Sequence, residues 1–326
     1  MKTPGHFILR LCLLRYAALS VAIATVASAA PSGDETCVQS DDYKTLLKEL
    51  SGLAVERIPS RPFEGIENAG LNGAELYGDF EGELIFENGE RRALAAQALH
   101  RKGERTLRLL PGFDRDCPPL ALLEGVPDDA PMIFKGSVAH GALADTTWDL
   151  TLTATSIEGD FSGARKGRLR MRRVLRPSPA LGMPPPEGAV VLLGVHTRDW
   201  RTTWTDHPHE PGGRDPWRMT APGTVQFVPK TRHVLSRASF GDQLLHIEFR
   251  TPFAPRSTSK FPGNSGVYLK GLYEVQILDS YGVEATWQDC GAIYKKHEPR
   301  VNVSAPPGQW QTFDILFRDA RYDEAG

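Results

Sequence analysis

The sequence predicts a mainly β protein: an antiparallel sandwich in its C-terminal part, preceded by a small antiparallel β domain with one helix. Three observations carry this. Apolar residues recur at period two in short runs through most of the chain. Pro, Gly, Asn and Asp punctuate those runs at turn spacing. Helix signals are confined to a single segment near the start.

The N-terminus comes first in the chain and sets the compartment. Lys2, Arg10 and Arg15 precede an apolar run over residues 16–26, and Ala27-Ser28-Ala29 has the small residues of a cleavage site. Residues 1–29 therefore read as a secretory signal peptide. The run is shorter than the ~20 residues of a membrane span, and Cys12 lacks the small residue before it that lipid attachment wants. The expectation is an exported, periplasmic or extracellular protein with no membrane span. Three cysteines remain beyond the leader: Cys37, Cys117 and Cys290. Outside the cytosol these allow one bridge, for which Cys37 and Cys117 are the natural pair, and Cys290 reads as a buried packing residue.

Residues 30–176 form the first domain. Tyr43, Leu46, Leu47 and Leu50 recur at helical spacing between an Asp41 or Asp42 cap and Gly52, which places the one helix over 41–53. Strands follow at 74–80, 83–86, 106–110, 132–138, 147–154 and 167–174, with Asn88-Gly89 as a hairpin turn. Trp148, Leu150 and Leu152 alternate with Thr147, Asp149, Thr151 and Thr153, giving one buried and one wet face. The pattern fits a small antiparallel barrel or curved sheet. The basic run over 165–173 alternates with Leu169 and Met171, which is a half-buried strand and not a phosphate track. His100 and His140 are isolated, and no catalytic constellation is visible, so an accessory role is expected here.

Pro177-Ser178-Pro179 and Pro184-Pro185-Pro186-Glu187-Gly188 make residues 177–188 a stiff, extended linker. Beyond it, residues 189–326 are dense in strands. Leu245, Ile247 and Phe249 alternate with His246, Glu248 and Arg250; Val267 and Leu269 with Tyr268 and Lys270; Ile315 and Phe317 with Asp314, Leu316 and Arg318. Turns at Pro252, Pro262-Gly263-Asn264, 279–282 and Pro306-Pro307-Gly308 separate them. This is an antiparallel sandwich, with a jelly roll as its expected topology.

The motifs in this region are specific in combination: Gly-Asn-Ser-Gly-Val-Tyr-Leu from Gly263, Tyr-Glu-Val-Gln-Ile-Leu-Asp-Ser-Tyr-Gly from Tyr273, Asp-Cys-Gly-Ala-Ile-Tyr from Asp289, and Trp-Gln-Thr-Phe-Asp-Ile from Trp310. With Trp200, Trp204 and Trp217 and the strand at 246–252, residues 186–326 resemble the 3-keto-disaccharide (3-keto-glycoside) hydrolase family. The resemblance implies a concanavalin A-like jelly-roll sandwich and a sugar glycoside oxidised at C3 as substrate. It also implies strands beyond Arg321-Tyr322-Asp323-Glu324-Ala325-Gly326, including a His-Asn-Gly turn absent here. Either the chain continues, or something else completes the sheet.

Such a substrate sets the chemistry. The ketone acidifies the C2 proton, a base removes it, the C1 oxygen leaves, and water adds across the enone, so that the net result is hydrolysis. Glu274, Asp279, Glu248 and His246 are the candidates for proton transfer. Asn264, Gln276, Tyr281, Arg250 and Trp204 are candidates for holding the sugar. Glu274 and Gln276 share one strand face while Tyr273, Val275 and Ile277 fill the other. That polar face is either a groove or a solvated convex surface, a choice that period two leaves open. Any of the three tryptophans is a stacking platform or a core residue. Asp206-His207-Pro208-His209-Glu210 is a divalent-metal site or a solvated loop; otherwise no cofactor is expected. The whole chain carries a net charge of −2 with dispersed basic residues, which does not describe a nucleic-acid binder. Two function classes remain, a hydrolase of 3-keto-glycosides and a carbohydrate-binding, lectin-like module on the same sandwich.

Overall fold

The computed structural model describes residues 8–14, 61–62, 76–113, 119–125, 132–137, 143, 145–208, 214–228, 231, 233–257 and 262–321. The helix expected at 41–53 lies outside them, as do Cys37 and Cys117. No α-helix occurs among the described residues. The chain is mainly β.

The strands run β1 (Ile8–Leu14), β2 (Arg61–Pro62), β3 (Gly78–Phe86), β4 (Arg91–Arg101), β5 (Glu104–Leu110), β6 (Ala121–Gly125), β7 (Met132–Ser137), β8 (Thr147–Leu152), β9 (Ser156–Ser162) and β10 (Gly167–Leu175). From β3 to β10 each strand pairs antiparallel with the next, and β10 pairs with both β9 and β3. The sheet therefore closes into an eight-stranded up-and-down barrel. Eight strands leave an interior just wide enough for side chains, and Phe80, Leu84, Leu107, Leu123, Phe134, Trp148, Leu150 and Leu169 fill it. Leu169 and Met171 of β10 point inward while Arg168, Arg170 and Arg172 are exposed, as their alternation requires.

Four barrel strands, β3, β4, β6 and β9, differ from the sequence expectation; β6 is a five-residue strand with Ala121 and Leu123 buried. Gly82 reads as a break between two strands, yet β3 runs unbroken through it. A Cβ there would stand 2.0 Å from the Arg170 carbonyl oxygen, so the glycine marks the close approach of β10 that curls the sheet. Strand β4 has no alternation because its Ala-rich centre is buried on both faces, Leu94, Ala96 and Ala98 toward the barrel core and Ala95 toward Leu110, Phe113 and Val174. Strand β9 is short of apolar residues, with only Ile157 and Phe161 facing inward. The Asn88-Gly89 hairpin forms as expected, with Gly89 at φ +85° and Asn88 Oδ1 accepting from the Glu90 N–H at 3.0 Å.

The second body contains β11 (Ala189–Leu193), β12 (Trp204–Asp206), β13 (Trp217–Ala221), β14 (Thr224–Phe227), β15 (Val234–Ser236), β16 (Gln243–Arg250), β17 (Ser265–Leu269), β18 (Tyr273–Ile277) and β19 (Gln311–Phe317). A six-stranded sheet has the order β13-β14-β1-β16-β19, with β11 also on β1. Strand β1 lies within the stretch that the sequence marks as leader. Two antiparallel ribbons, β12–β15 and β17–β18, complete the body. Its core holds Leu245, Ile247 and Phe249 of β16, Leu269 and Ile277 of the β17–β18 ribbon, Trp200, Trp217 and Cys290. Burial pushes the Cys290 thiol up to about 11, which leaves it a neutral packing group.

The two bodies touch directly. The Gly103 N–H donates to the Pro255 carbonyl at 2.8 Å, and the Tyr77 ring stacks on Phe253 with centroids 5.6 Å apart. The start of the 177–188 segment lies on the outer face of the six-stranded sheet. Ser178 Oγ and Thr312 Oγ1 are 2.6 Å apart, and the Gly182 N–H donates to Glu248 Oε1.

Candidate functional site

The β17–β18 ribbon sorts its residues by face. Register pairs Val267 with Val275 and Ser265 with Ile277, and Val267, Leu269, Val275 and Ile277 pack on the core. The alternate positions pair Tyr268 with Glu274 and Gly266 with Gln276 on the opposite face. The polar face expected from the sequence therefore exists and points away from the core.

Gly266 shapes that face. A Cβ at this position would lie 2.2 Å from Glu274 Oε1 and 2.7 Å from its Cγ, so the carboxylate of Glu274 lies in the space that the missing side chain leaves. Tyr268 hydrogen-bonds Glu274, and burial first, then this bond, push its phenol up to about 12. The hydroxyl therefore stays protonated and donates to the carboxylate. The His233 ring stacks on Tyr268 at 5.6 Å and 28°, and the His207 ring meets His233 edge-on at 6.3 Å. The β12–β15 ribbon brings these histidines in: His207 follows β12, His233 precedes β15, and the His207 N–H donates to the His233 carbonyl at 3.0 Å. On the other flank the Tyr294 N–H donates to the Glu274 carbonyl at 2.9 Å, and Trp287, 42% exposed, packs against the Tyr294 ring.

Gln276 lies beside this cluster but is buried. Its Nε2 donates to Asn264 Oδ1 at 2.8 Å, and its main chain bonds Gly291 and Ala292. Asn264 and Gln276 are thus paired with each other, and they fix the base of the ribbon.

The remaining candidates stand elsewhere. Asp279 follows the end of β18. Burial raises its carboxyl to about 6 against the pull of Arg101 of the barrel and of the Tyr281 N–H, 3.3 Å from Oδ1. Tyr281 is 3% exposed and donates to Asp79 Oδ1 of the barrel at 2.8 Å, so it is a contact between the two bodies. His246, Glu248 and Arg250 occupy the outer face of β16, and the core lies between them and the ribbon. His246 Nδ1 is 2.7 Å from Asp314 Oδ1, and its Nε2 is 3.7 Å from Glu248 Oε1. Burial disfavours the charged imidazole, but Asp314 and Glu248 outweigh it and raise His246 to about 9. The Arg250 guanidinium sits over Trp310 at 5.2 Å. Trp204 packs on Trp217, centroids 4.9 Å apart, and its indole N–H donates to the Leu192 carbonyl at 3.2 Å; it is a packing residue, as are Trp200 and Trp217.

Among the described residues no group of three or more His, Cys, Asp or Glu side chains is placed to hold a metal. His209 and Glu210 lie outside them. Tyr268, His233, Tyr294 and Trp287 were not among the sequence candidates. Tyr268 alone had a signal, its place opposite Glu274 in the strand alternation; the other three come from turns and loops without periodicity.

Residues 188–323 match the profile of the 3-keto-alpha-glucoside-1,2-lyase-like domain. No curated protein and no solved structure matches the chain.

Proposed function

We propose, on the premise that residues 188–323 belong to the 3-keto-disaccharide hydrolase domain family, that the polar face of the β17–β18 ribbon cleaves the glycosidic bond of 3-keto-glycosides. One observation carries the reading: the Glu274 carboxylate rests over Gly266 with the Tyr268 hydroxyl bonded to it. A carboxylate held in one place beside a protonated phenol is a positioned proton acceptor next to a hydrogen-bond donor.

The chemistry follows from the ketone. Electron withdrawal by the C3 carbonyl makes the C2 proton acidic, and Glu274 takes it as the electrons move onto the C3 oxygen. The enolate then expels the C1 oxygen, which leaves as the alcohol after gaining a proton, and an enone remains. Water adds at C1 and a proton returns to C2, so the products sum to hydrolysis. Tyr268 holds the Glu274 carboxylate in place through its one O–H, which is committed to that contact. His233, stacked on Tyr268, fixes the plane of the phenol, and Trp287 offers an exposed ring against which a sugar face can rest. The leader at residues 1–29 supports an exported protein and a substrate outside the cytosol.

Glu274→Gln preserves shape and hydrogen bonding but cannot take a proton. Turnover of a 3-keto-glycoside should fall by ~10²–10⁴ with substrate affinity little changed. A rate within a factor of a few of the parent removes the assignment. The second reading, a carbohydrate-binding module, draws on the exposed aromatics Tyr268 and Trp287, 48% and 42% exposed. It requires binding of a glycoside with no turnover by the parent protein.

A further inference from the structure

We infer that Tyr294 is the acid that protonates the departing C1 oxygen, an assignment that rests on Glu274 as the base of the same reaction.

The placement comes from register. Residues 291–294 run antiparallel beside β18, on the edge that β17 leaves open. The Gln276 N–H donates to the Ala292 carbonyl and the Tyr294 N–H to the Glu274 carbonyl, both at 2.9 Å, and Val275 stands opposite Ile293. Tyr294 is therefore directly opposite Glu274 on one side, as Tyr268 is on the other. The carboxylate lies in a row between two phenols on one face, and neighbours in such a row are about 5 Å apart at Cβ. The phenols are close enough to interact: after burial and Glu274, Tyr294 further disfavours ionisation of Tyr268.

The two tyrosines are not equivalent. The Tyr268 hydroxyl is committed to Glu274. The Tyr294 hydroxyl makes no hydrogen bond among the described residues, so its proton can turn to a substrate. Its ring meets the exposed Trp287, centroids 5.8 Å apart, which puts it beside the surface on which the sugar would rest.

The segment that carries Tyr294 is anchored at both ends. Asp289 accepts from Ser280 Oγ at 3.0 Å and from the Thr286 N–H and Oγ1 at 2.9 and 2.7 Å. Beyond Tyr294 the chain folds back in a tight turn. Ile293 and His297 exchange main-chain bonds of 3.0 and 2.9 Å, and Lys295 takes φ +60°. The turn brings the Lys295 ammonium over the Tyr294 ring, 5.3 Å from its centroid. A cation there favours the phenolate that proton donation leaves behind.

The steps balance. Glu274 takes the C2 proton, and as the C1–O bond breaks the departing oxygen takes the Tyr294 O–H proton. These two events occur on adjacent carbons, so base and acid must be neighbours, as Glu274 and Tyr294 are. The Tyr294 phenolate then removes a proton from the water whose oxygen bonds to C1, and Glu274 returns its proton to C2. Both side chains end as they began, and the net change is hydrolysis.

The test compares two leaving groups on one sugar. Methyl and 4-nitrophenyl 3-ketoglucosides, each offered as both anomers, differ in their need for an acid: methoxide leaves poorly, and 4-nitrophenolate departs unaided. Tyr294→Phe should lower kcat/KM for the methyl compound by ~10²–10³ and for the 4-nitrophenyl compound by less than ~10-fold. The activity kept on the second compound shows in the same assay that the variant is folded. Glu274→Gln should slow both alike, because both need the C2 proton removed. Losses in Tyr294→Phe that are equal for the two compounds, or absent, overturn the acid assignment and leave the base standing. A parent protein that cleaves neither compound, or a Glu274→Gln variant that slows neither, overturns the proposed reaction and this inference with it.

Discussion

The Tyr281 hydroxyl donates a hydrogen bond of 2.8 Å to Asp79 Oδ1, joining a turn of the second body to the first barrel strand. Both side chains are buried, and Gln97 and Arg176 also approach the Asp79 carboxylate, at 3.4 Å and 3.8 Å. Next along the chain, Gly282 takes φ +67° and its carbonyl accepts from Arg108, while Leu99 leaves no room for a Cβ. The turn that follows the ribbon is therefore set against the barrel by a packed, hydrogen-bonded seam.

Tyr281→Phe should destabilise the protein by ~1–3 kcal/mol, because it strips a donor from a buried carboxylate. Chemical denaturation measures the loss. A double-mutant cycle with Asp79→Asn should show coupling between the two changes, since they share one contact; simple additivity would mean that the seam does not hold the turn.

Gly266→Ala tests the placement of Glu274 without altering any titratable group. The new methyl would lie within 3 Å of three atoms of the Glu274 side chain, so the carboxylate must move. Turnover should drop by ~10²-fold while the far-ultraviolet circular dichroism and the melting temperature stay near those of the parent. Unchanged turnover would show that the position over Gly266 is not the working one.

Asp279 gives a pH dependence with a definite sign. Its folded carboxyl titrates at about 6 against an ordinary value of 3.8. The stability this group contributes is full below pH ~4 and is lost as pH rises through ~6. Asp279→Asn keeps an acceptor for the Tyr281 N–H and cannot ionise, so it should raise stability at pH 8 by up to roughly 3 kcal/mol and have little effect at pH 4. Melting curves across that range check it.

His246 acts at the other end of the scale. Its folded value is about 9 and its ordinary value 6.5, so the charged imidazole between Asp314 and Glu248 stabilises the fold below pH ~6.5. That contribution fades as pH rises through ~9. His246→Gln should flatten the fall in melting temperature between pH 7 and 9.5, and an unaltered slope would show that the cluster is not charged.

What the sequence determined by itself is local. Period-two alternation, as in Trp148-Leu150-Leu152 and Leu245-Ile247-Phe249, was enough for the mainly β class, because an alternating strand must bury one face and wet the other. The same logic placed Glu274 and Gln276 on a common face, and the Asn88-Gly89 turn followed from the positive φ that a tight hairpin demands. Strands without alternation escaped it. Strand β4 is buried on both sides, and local pattern cannot distinguish that from any other Ala-rich stretch. Only the tertiary structure decided which of two faces is wet, because that depends on what packs across from a strand. It set His246 and Glu248 on one side of the core and Glu274 on the other, turned Tyr281 into a seam with the barrel, and put Trp204 in the core. It also brought His233 and Trp287 from irregular segments to the ribbon, and gave residues 8–14 a place in the sheet that a leader sequence does not foretell. Each of these is a relation between residues far apart in the chain, fixed by closure of the barrel and the packing of the sandwich and not by any neighbour in sequence.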